Sequence, residues 1–146
     1  MITYMETSKK GVIIADTSGL VSLFSPDDRN HIEAINAAKR LQNDQKTILV
    51  PAAVFVEFLN VLGRKAGHEP ALAAVSELTS PFLVLSEPAN LPQSPALKKF
   101  ADIGEAVSFT DCIVMAVADE YGTPDIFGFD KQFQDAGYHR LEPTTN

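Results

Sequence analysis

The sequence lacks the features of several large protein classes. It contains no tryptophan and a single cysteine, Cys112, so an internal disulfide is impossible, and no Cys/His cluster offers a zinc site. No apolar run reaches the roughly 18 residues that a membrane-spanning helix needs. The first ten residues contain no apolar stretch typical of a secretory signal. These absences together favour a cytoplasmic protein with no membrane segment.

Basic residues are also scarce. Twelve Lys and Arg residues stand against nineteen Asp and Glu residues, which gives a formal net charge of −7. Proteins that follow a nucleic-acid backbone are usually basic, because neutralising phosphates releases counterions and supplies most of the non-specific affinity. The net charge therefore argues against a broad nucleic-acid-binding surface. Carboxylates gathered around a metal ion would weaken that argument.

The chain does contain enough apolar material for one core. Of its 146 residues, 45% are hydrophobic and 21% are charged, as in ordinary globular proteins. We therefore expect a single domain over residues 1–146, with polar, flexible ends at 1–10 and 142–146.

Short apolar runs alternate with helical patterns along the chain. This alternation predicts parallel β-α-β crossovers and hence a three-layer α/β/α sandwich with a parallel central sheet. Ligands in such sheets bind beyond the carboxyl ends of the strands, near the point where the strand order reverses. The predicted strands are 11–15, 47–50, 82–85, 126–129 and an edge strand at 138–141. The predicted helices are 20–24, 29–43, 52–65, 70–78, 96–103 and 108–120, with a helical turn at 131–135 and a proline-rich loop at 86–95.

Four acidic residues occupy informative positions in this pattern. Asp16 directly follows the first strand, Asp130 follows the fourth, Glu57 interrupts an apolar helix, and Asp111 opens another. If the fold brings them together, each pair of carboxylates about 4 Å apart repels by about 4 kcal/mol at an effective dielectric near 20. Oxygen ligands without His or Cys favour Mg²⁺ or Mn²⁺. Such ions activate water and clamp phosphates, so phosphodiester hydrolysis is the expected chemistry.

Each acid also has a purely structural interpretation. Asp16 and Asp111 are good helix N-caps, Asp130 can simply end a strand, and Glu57 can lie on a solvent-facing helix surface. An aspartic protease is excluded, since its motif has Gly two residues after the Asp, where this chain has Ser18. A receiver domain would usually show an adjacent acid pair and a Lys after its last strand, and neither is clear here.

Two further groups of residues remain open at this stage. Arg29, Lys39 and Arg40 are interpreted as a solvated helix surface, with contact to a phosphate as the alternative. Apolar positions on the first helices have two interpretations. They form a surface for a dimer or a partner protein, or they belong to the ordinary hydrophobic core. Cys112 is interpreted as a small core residue.

Four segments, 13–18, 56–62, 110–116 and 129–133, resemble the successive motifs of the PIN-domain ribonucleases. The resemblance spans nearly the whole chain and implies an α/β/α sandwich with an Mg²⁺- or Mn²⁺-dependent nuclease site. It carries over Asp16, Glu57, Asp111 and Asp130 as catalytic and metal-binding residues. Ser18 matches the hydroxyl that helps to order this site.

The resemblance also implies a biological role. The protein would be an endoribonuclease that hydrolyses RNA to leave a 5′-phosphate and a 3′-hydroxyl, with no side chain as an obvious general base. Small single-domain members are often toxins of bacterial toxin–antitoxin pairs (VapC-like), so the expected partners are RNA, a cognate antitoxin and a second copy of the chain.

One position departs from the family pattern. Gly128 stands two residues before the last Asp, where the family often has Thr or Ser. We expect this change to weaken the hydrogen bonding around Asp130. Together with the acidic composition, it motivates the alternative that the protein is a catalytically inactive PIN-fold scaffold that binds RNA or protein.

Overall fold

The computed structural model describes residues 11–84 and 93–145. Its strands are β1 (Val12–Ala15), β2 (Thr47–Val50), β3 (Phe82–Val84) and β4 (Ile126–Phe127). Its helices are α1 (Thr17–Phe24), α2 (His31–Asn43), α3 (Ala52–Ala66), α4 (His68–Glu77), α5 (Pro95–Ile103), α6 (Phe109–Glu120) and α7 (Lys131–Asp135), with a 3₁₀ turn at Gly104–Ala106. The predicted ends at 1–10 and at 146, residue 85 of the third strand and most of the predicted 86–95 loop lie outside the described residues.

The four strands form a parallel sheet in the order β3-β2-β1-β4. In its register, Ile14 pairs with Leu49 of β2 on one side and with Ile126 of β4 on the other. All four residues of β1 are buried, as expected of a strand covered on both faces by helices. This confirms the predicted α/β/α sandwich. The strand order reverses at β1, because β2 and β4 lie on opposite sides of it.

The core between the layers is aromatic and aliphatic. Phe58, Phe127 and Phe133 are fully buried, as is Met115 on α6. The ring of Phe58 lies 5.6 Å from that of Phe24, between the centroids, so α3 and α1 are packed through their aromatic side chains. This packing fixes the two helices that follow β1 and β2, and with them the residues at that edge of the sheet.

Two predicted strands differ from the structure. The edge strand at 138–141 is wrong, since Asp125 and His139 form only an isolated bridge, after Gly137 turns the chain at a φ of 99°. The fourth strand ends at Phe127 rather than at Phe129. The Phe129 N–H donates to the Ser18 hydroxyl at 3.0 Å instead of to a neighbouring strand.

Two smaller points concern the helices and the chain end. Helix α4 begins at His68, so Pro70 is its third residue and not its first as predicted. Thr144, in the segment predicted to be flexible, donates its N–H to Asn30 Oδ1 at 2.9 Å and its hydroxyl to the Arg29 carbonyl at 2.8 Å.

Within residues 11–84 and 93–145, no helix is both long and apolar enough to cross a bilayer.

Candidate metal centre

Three aspartates meet at the edge of the sheet where the strand order reverses. Asp16 directly follows β1, Asp130 lies just before α7, and Asp111 is in the first turn of α6. One carboxylate oxygen from each residue lies within 4.8 Å of those of the other two. The parallel sheet explains this arrangement, since it places the carboxyl ends of neighbouring strands side by side.

Asp16 is the most constrained of the three. Its side chain is 2% exposed and caps α1, because Oδ2 accepts the Ser18 N–H at 3.3 Å. The same oxygen accepts the Ser18 hydroxyl at 2.9 Å. Asp16 is therefore both the N-cap of α1 and a member of the group of three acids, and the two interpretations of this residue do not exclude each other. Ser18 orders Asp16, as the resemblance implies for this hydroxyl.

Asp111 is held from two directions. Ser108 is the N-cap of α6, so the interpretation of Asp111 as that cap is wrong; Asp111 is instead its reciprocal partner. Asp111 Oδ2 accepts the Ser108 N–H at 2.9 Å and the Gln132 amide at 3.3 Å. The carboxylate is thus oriented by α6 and by α7 at once. Gln132 was not predicted from the sequence, because its contact joins residues from separate elements.

Asp130 and Glu57 are held less tightly. Asp130 is half-buried at the N-cap position of α7, yet its side chain makes no capping hydrogen bond. Glu57 projects from α3, is half-buried, and lines the same cavity without belonging to the cluster of three. The charge of Glu57 nevertheless contributes to a raised pKa at Asp130. The structure therefore brings three predicted ligands together and places the fourth at their border.

The electrostatics of the cluster disfavour its full ionisation. Burial raises the pKa of Asp16 to about 7, with a further contribution from the charge of Asp130. Burial also raises the pKa of Asp130, a hydrogen bond with Asp16 opposes that rise, the charges of Asp111 and Glu57 add to it, and the charge of Arg140 opposes it. Among the described residues, no ion pair within 4.0 Å joins a Lys or Arg to any of these acids.

This donor set fits a hard divalent cation. Carboxylate oxygens that face one another without a paired base are what Mg²⁺ and Mn²⁺ prefer, and no sulfur or imidazole ligand competes. Asp16, Asp111 and Asp130 would hold the ion, with Glu57 within reach of the same cavity. Without an ion, the raised pKa of Asp16, about 7, allows a proton to neutralise part of the cluster, and a bound cation would replace that proton.

The cavity in front of the acids has a volume of about 410 Å³. Beyond the acid cluster it extends to Asp28, Arg29 and Asn30, between α1 and α2. Arg29 therefore borders the site, although the sequence favoured a solvated helix surface for it. Its guanidinium donates to the Thr144 carbonyl at 3.1 Å. The buried Thr17 hydroxyl, also in the cavity wall, has no hydrogen-bond partner within the described residues.

The chain thus combines a parallel α/β/α sandwich with a cluster of carboxylates at the switch point of its sheet. The sequence model of the PIN domain family matches residues 13–137, and the chain belongs to that family. No curated protein sequence matches it.

Solved structures agree with this assignment. The chain is similar to VapC20 of Mycobacterium tuberculosis, a toxin that cleaves the sarcin-ricin loop, with 25% identity, a TM-score of 0.72 and coverage of 90% of this chain and 99% of that one. It shares its fold with VapBC2 of Rickettsia felis, solved bound to a DNA fragment from its promoter, with 12% identity, a TM-score of 0.68 and the same coverage.

Proposed function

We propose that this protein is a divalent-metal-dependent endoribonuclease. The observation that carries the proposal is the convergence of Asp16, Asp111 and Asp130 within 4.8 Å at the switch point. Among the described residues no ion pair within 4.0 Å neutralises them, and Arg140, which donates to the Phe129 carbonyl, supplies positive charge only near Asp130. Membership of the PIN domain family and the likeness to VapC20, a toxin that cleaves the sarcin-ricin loop, support RNA as the substrate.

The chain's own residues have distinct tasks in this proposal. Asp16, Asp111 and Asp130 hold Mg²⁺ or Mn²⁺, and Glu57 contributes negative charge at the border. Ser18 and Gln132 orient Asp16 and Asp111 through the bonds described above. When bound, such an ion lowers the pKa of water and neutralises charge on a phosphate. The half-open cavity admits a phosphodiester, and hydrolysis would leave a 5′-phosphate and a 3′-hydroxyl.

The test is cleavage of structured and single-stranded RNA by the purified protein. We expect cleavage with Mg²⁺ or Mn²⁺, its loss in EDTA, and its return when the metal is added back. Asp16→Asn should remove the activity while the protein stays folded. Cleavage that survives both EDTA and Asp16→Asn would point to a contaminating nuclease and contradict the proposal.

The catalytically inactive scaffold is the competing outcome of the same experiment. It would show RNA or protein binding without cleavage of any RNA and without binding of Mn²⁺ in calorimetry. Gly128 and the acidic composition motivate this alternative, although Asp16 and Ser18 lie close to the position that a side chain at 128 would occupy.

We further propose that the protein is the toxin of a toxin–antitoxin pair and forms a homodimer. The likeness to VapC20, and the fold shared with VapBC2, support the first part. Exposed aliphatic side chains on three successive helices, Ile32, Val56 and Leu72, support a partner surface. Induced expression should arrest growth of a bacterial host for the wild type but not for Asp16→Asn, and light scattering should give twice the mass of one chain.

A further inference from the structure

The end of β4 and the first turn of α1 touch through their backbones. A Cβ placed on Gly19 would lie 2.0 Å from the Phe127 carbonyl oxygen, so only glycine fits there. A Cβ placed on Gly128 would lie 2.8 Å from the Cβ of Asp16 and 3.2 Å from the Ser18 hydroxyl. The two glycines therefore allow the segment that carries Asp130 to approach the residue that carries the first carboxylate.

Position 128 requires glycine because a side chain there would clash with its neighbours, and not because of its backbone conformation. Its φ lies outside the left-handed region, unlike those of Gly11, Gly67, Gly104 and Gly137. Any residue could adopt this backbone, and the obstacle to a side chain is the contact with Asp16. A substitution here consequently tests the contact itself.

The Ser18 hydroxyl completes the contact. It donates to Asp16 Oδ2 at 2.9 Å and accepts the Phe129 N–H at 3.0 Å. One hydroxyl therefore joins the first carboxylate to the chain immediately before Asp130. A side chain at position 128 would occupy the volume that lies between them.

We propose that Gly128 is a positioning residue that sets the separation of Asp16 and Asp130, with the Ser18 hydroxyl joining the two segments across the space that the missing side chain leaves. The metal-binding part of this inference rests on the proposed function.

The experiment compares Gly128→Ala and Gly128→Ser with Gly63→Ala. Gly63 has open space around its Cβ position and an ordinary helical φ, so the control makes the same chemical change without a contact. The probes are the thermal midpoint in EDTA, the Kd for Mn²⁺ by calorimetry, and the Mn²⁺ concentration that gives half-maximal RNA cleavage.

We expect Gly63→Ala to bind Mn²⁺ as the wild type does and to melt at the same or a higher temperature. Both Gly128 variants should melt at least about 3 °C lower, because overpacked sites force their neighbours to shift. In their folded state, both should bind Mn²⁺ at least about tenfold more weakly, and the half-maximal Mn²⁺ concentration for cleavage should rise by a similar factor.

Each outcome bears on the inference separately from the proposed function. A folded Gly128→Ala variant with the wild-type Mn²⁺ affinity would overturn the inference and leave the nuclease intact. A wild type that binds Mn²⁺ but cleaves no RNA would overturn the nuclease while the affinities still decide the role of Gly128. If the wild type binds no Mn²⁺, the metal-positioning role fails together with the proposed function.

If the Gly128 variants do not fold, Ser18→Ala replaces them. It removes the bonds to Asp16 and to the Phe129 N–H without adding volume, and should also weaken Mn²⁺ binding about tenfold. A Ser18→Ala protein that binds Mn²⁺ as tightly as the wild type would overturn the inference.

Discussion

Two aspartates in the wall of one cavity have opposite surroundings. Asp16 is buried beside other carboxylates, and its pKa is raised to about 7. Burial also works against ionisation of Asp28, but bonds from the Asn30 N–H, the Ser22 hydroxyl and Lys65 outweigh it and lower the pKa of Asp28. Asp28 thus has its cation within the protein, in Lys65, whereas no Lys or Arg among the described residues forms an ion pair with Asp16 within 4.0 Å. The difference separates a carboxylate that the protein neutralises from one that we propose as a metal ligand in the same pocket.

The largest expected effect comes from changing each aspartate to asparagine. Asp16→Asn should reduce RNA cleavage in Mg²⁺ at least about 100-fold, because a weakened metal site loses several kcal/mol of charge stabilisation in the transition state. Asp28→Asn should retain cleavage within about threefold of the wild type. Circular dichroism of both variants checks that they are folded. Equal losses in the two variants would contradict the division between ligand and structural carboxylate.

The second prediction concerns the cost of the acid cluster without metal. Asp130 makes no capping bond, so Asp130→Asn should relieve its repulsion by Asp111 and Glu57, a gain that exceeds the weakening of its hydrogen bond with Asp16 and of its attraction to Arg140. In EDTA at pH 8 we expect its melting temperature to exceed the wild-type value by about 2–6 °C, for a relief of about 1–2 kcal/mol. Because the folded-state pKa values of Asp16 and Asp130 are raised, the wild type loses stability as pH rises through them, and the gain should shrink at pH 5.

Asp111→Asn serves as the contrasting variant in that measurement. Its carboxylate accepts bonds from the Ser108 N–H and from Gln132, so relief of repulsion is offset by weaker bonds and the rise should be smaller. In saturating Mn²⁺ the wild type should have a higher melting temperature than both variants, since the ion stabilises it by binding to its folded state. A lower melting temperature for Asp130→Asn in EDTA would show that the acids do not repel one another.

The sequence predicts the sheet and the approximate site because both depend on local patterns. Because Asp16 directly follows a buried strand, the sequence predicts that it lies at the carboxyl edge of the sheet. The sequence pattern also predicts that Asp111 lies at the start of a helix. What the sequence does not reveal are contacts between distant segments. Gln132, Arg29 and Gly128 gain their roles only when α7, the start of α2 and the end of β4 meet the acids.

The third prediction uses the lowered pKa of Asp28. Asp28→Asn should lower the melting temperature at pH 7 by about 1–3 °C, because it loses the ion pair with Lys65, at 3.3 Å, while its amide oxygen still accepts a hydrogen bond. The folded-state pKa lies below the unfolded value, so this contribution is present above about pH 4 and is lost as pH falls through the folded pKa. The melting curves of the two proteins should therefore converge in acid. A constant difference down to pH 2.5 would assign the effect to packing.

The prediction with the smallest expected effect concerns the end of the cavity at Arg29, away from the acids, and asks whether it contacts the RNA. Arg29 borders the cavity and Arg40, on the exposed surface of α2, does not, so the two arginines form a matched pair. In an Asp16→Asn background, Arg29→Gln should weaken binding of single-stranded RNA about fivefold and reduce the slope of log K against log salt by about 0.7, as for one lost phosphate contact. Arg29→Lys should keep the slope, and Arg40→Gln should leave both quantities unchanged. If Arg29→Gln and Arg40→Gln behave alike, RNA binding depends on overall charge, and the cavity beyond the acids does not guide the strand.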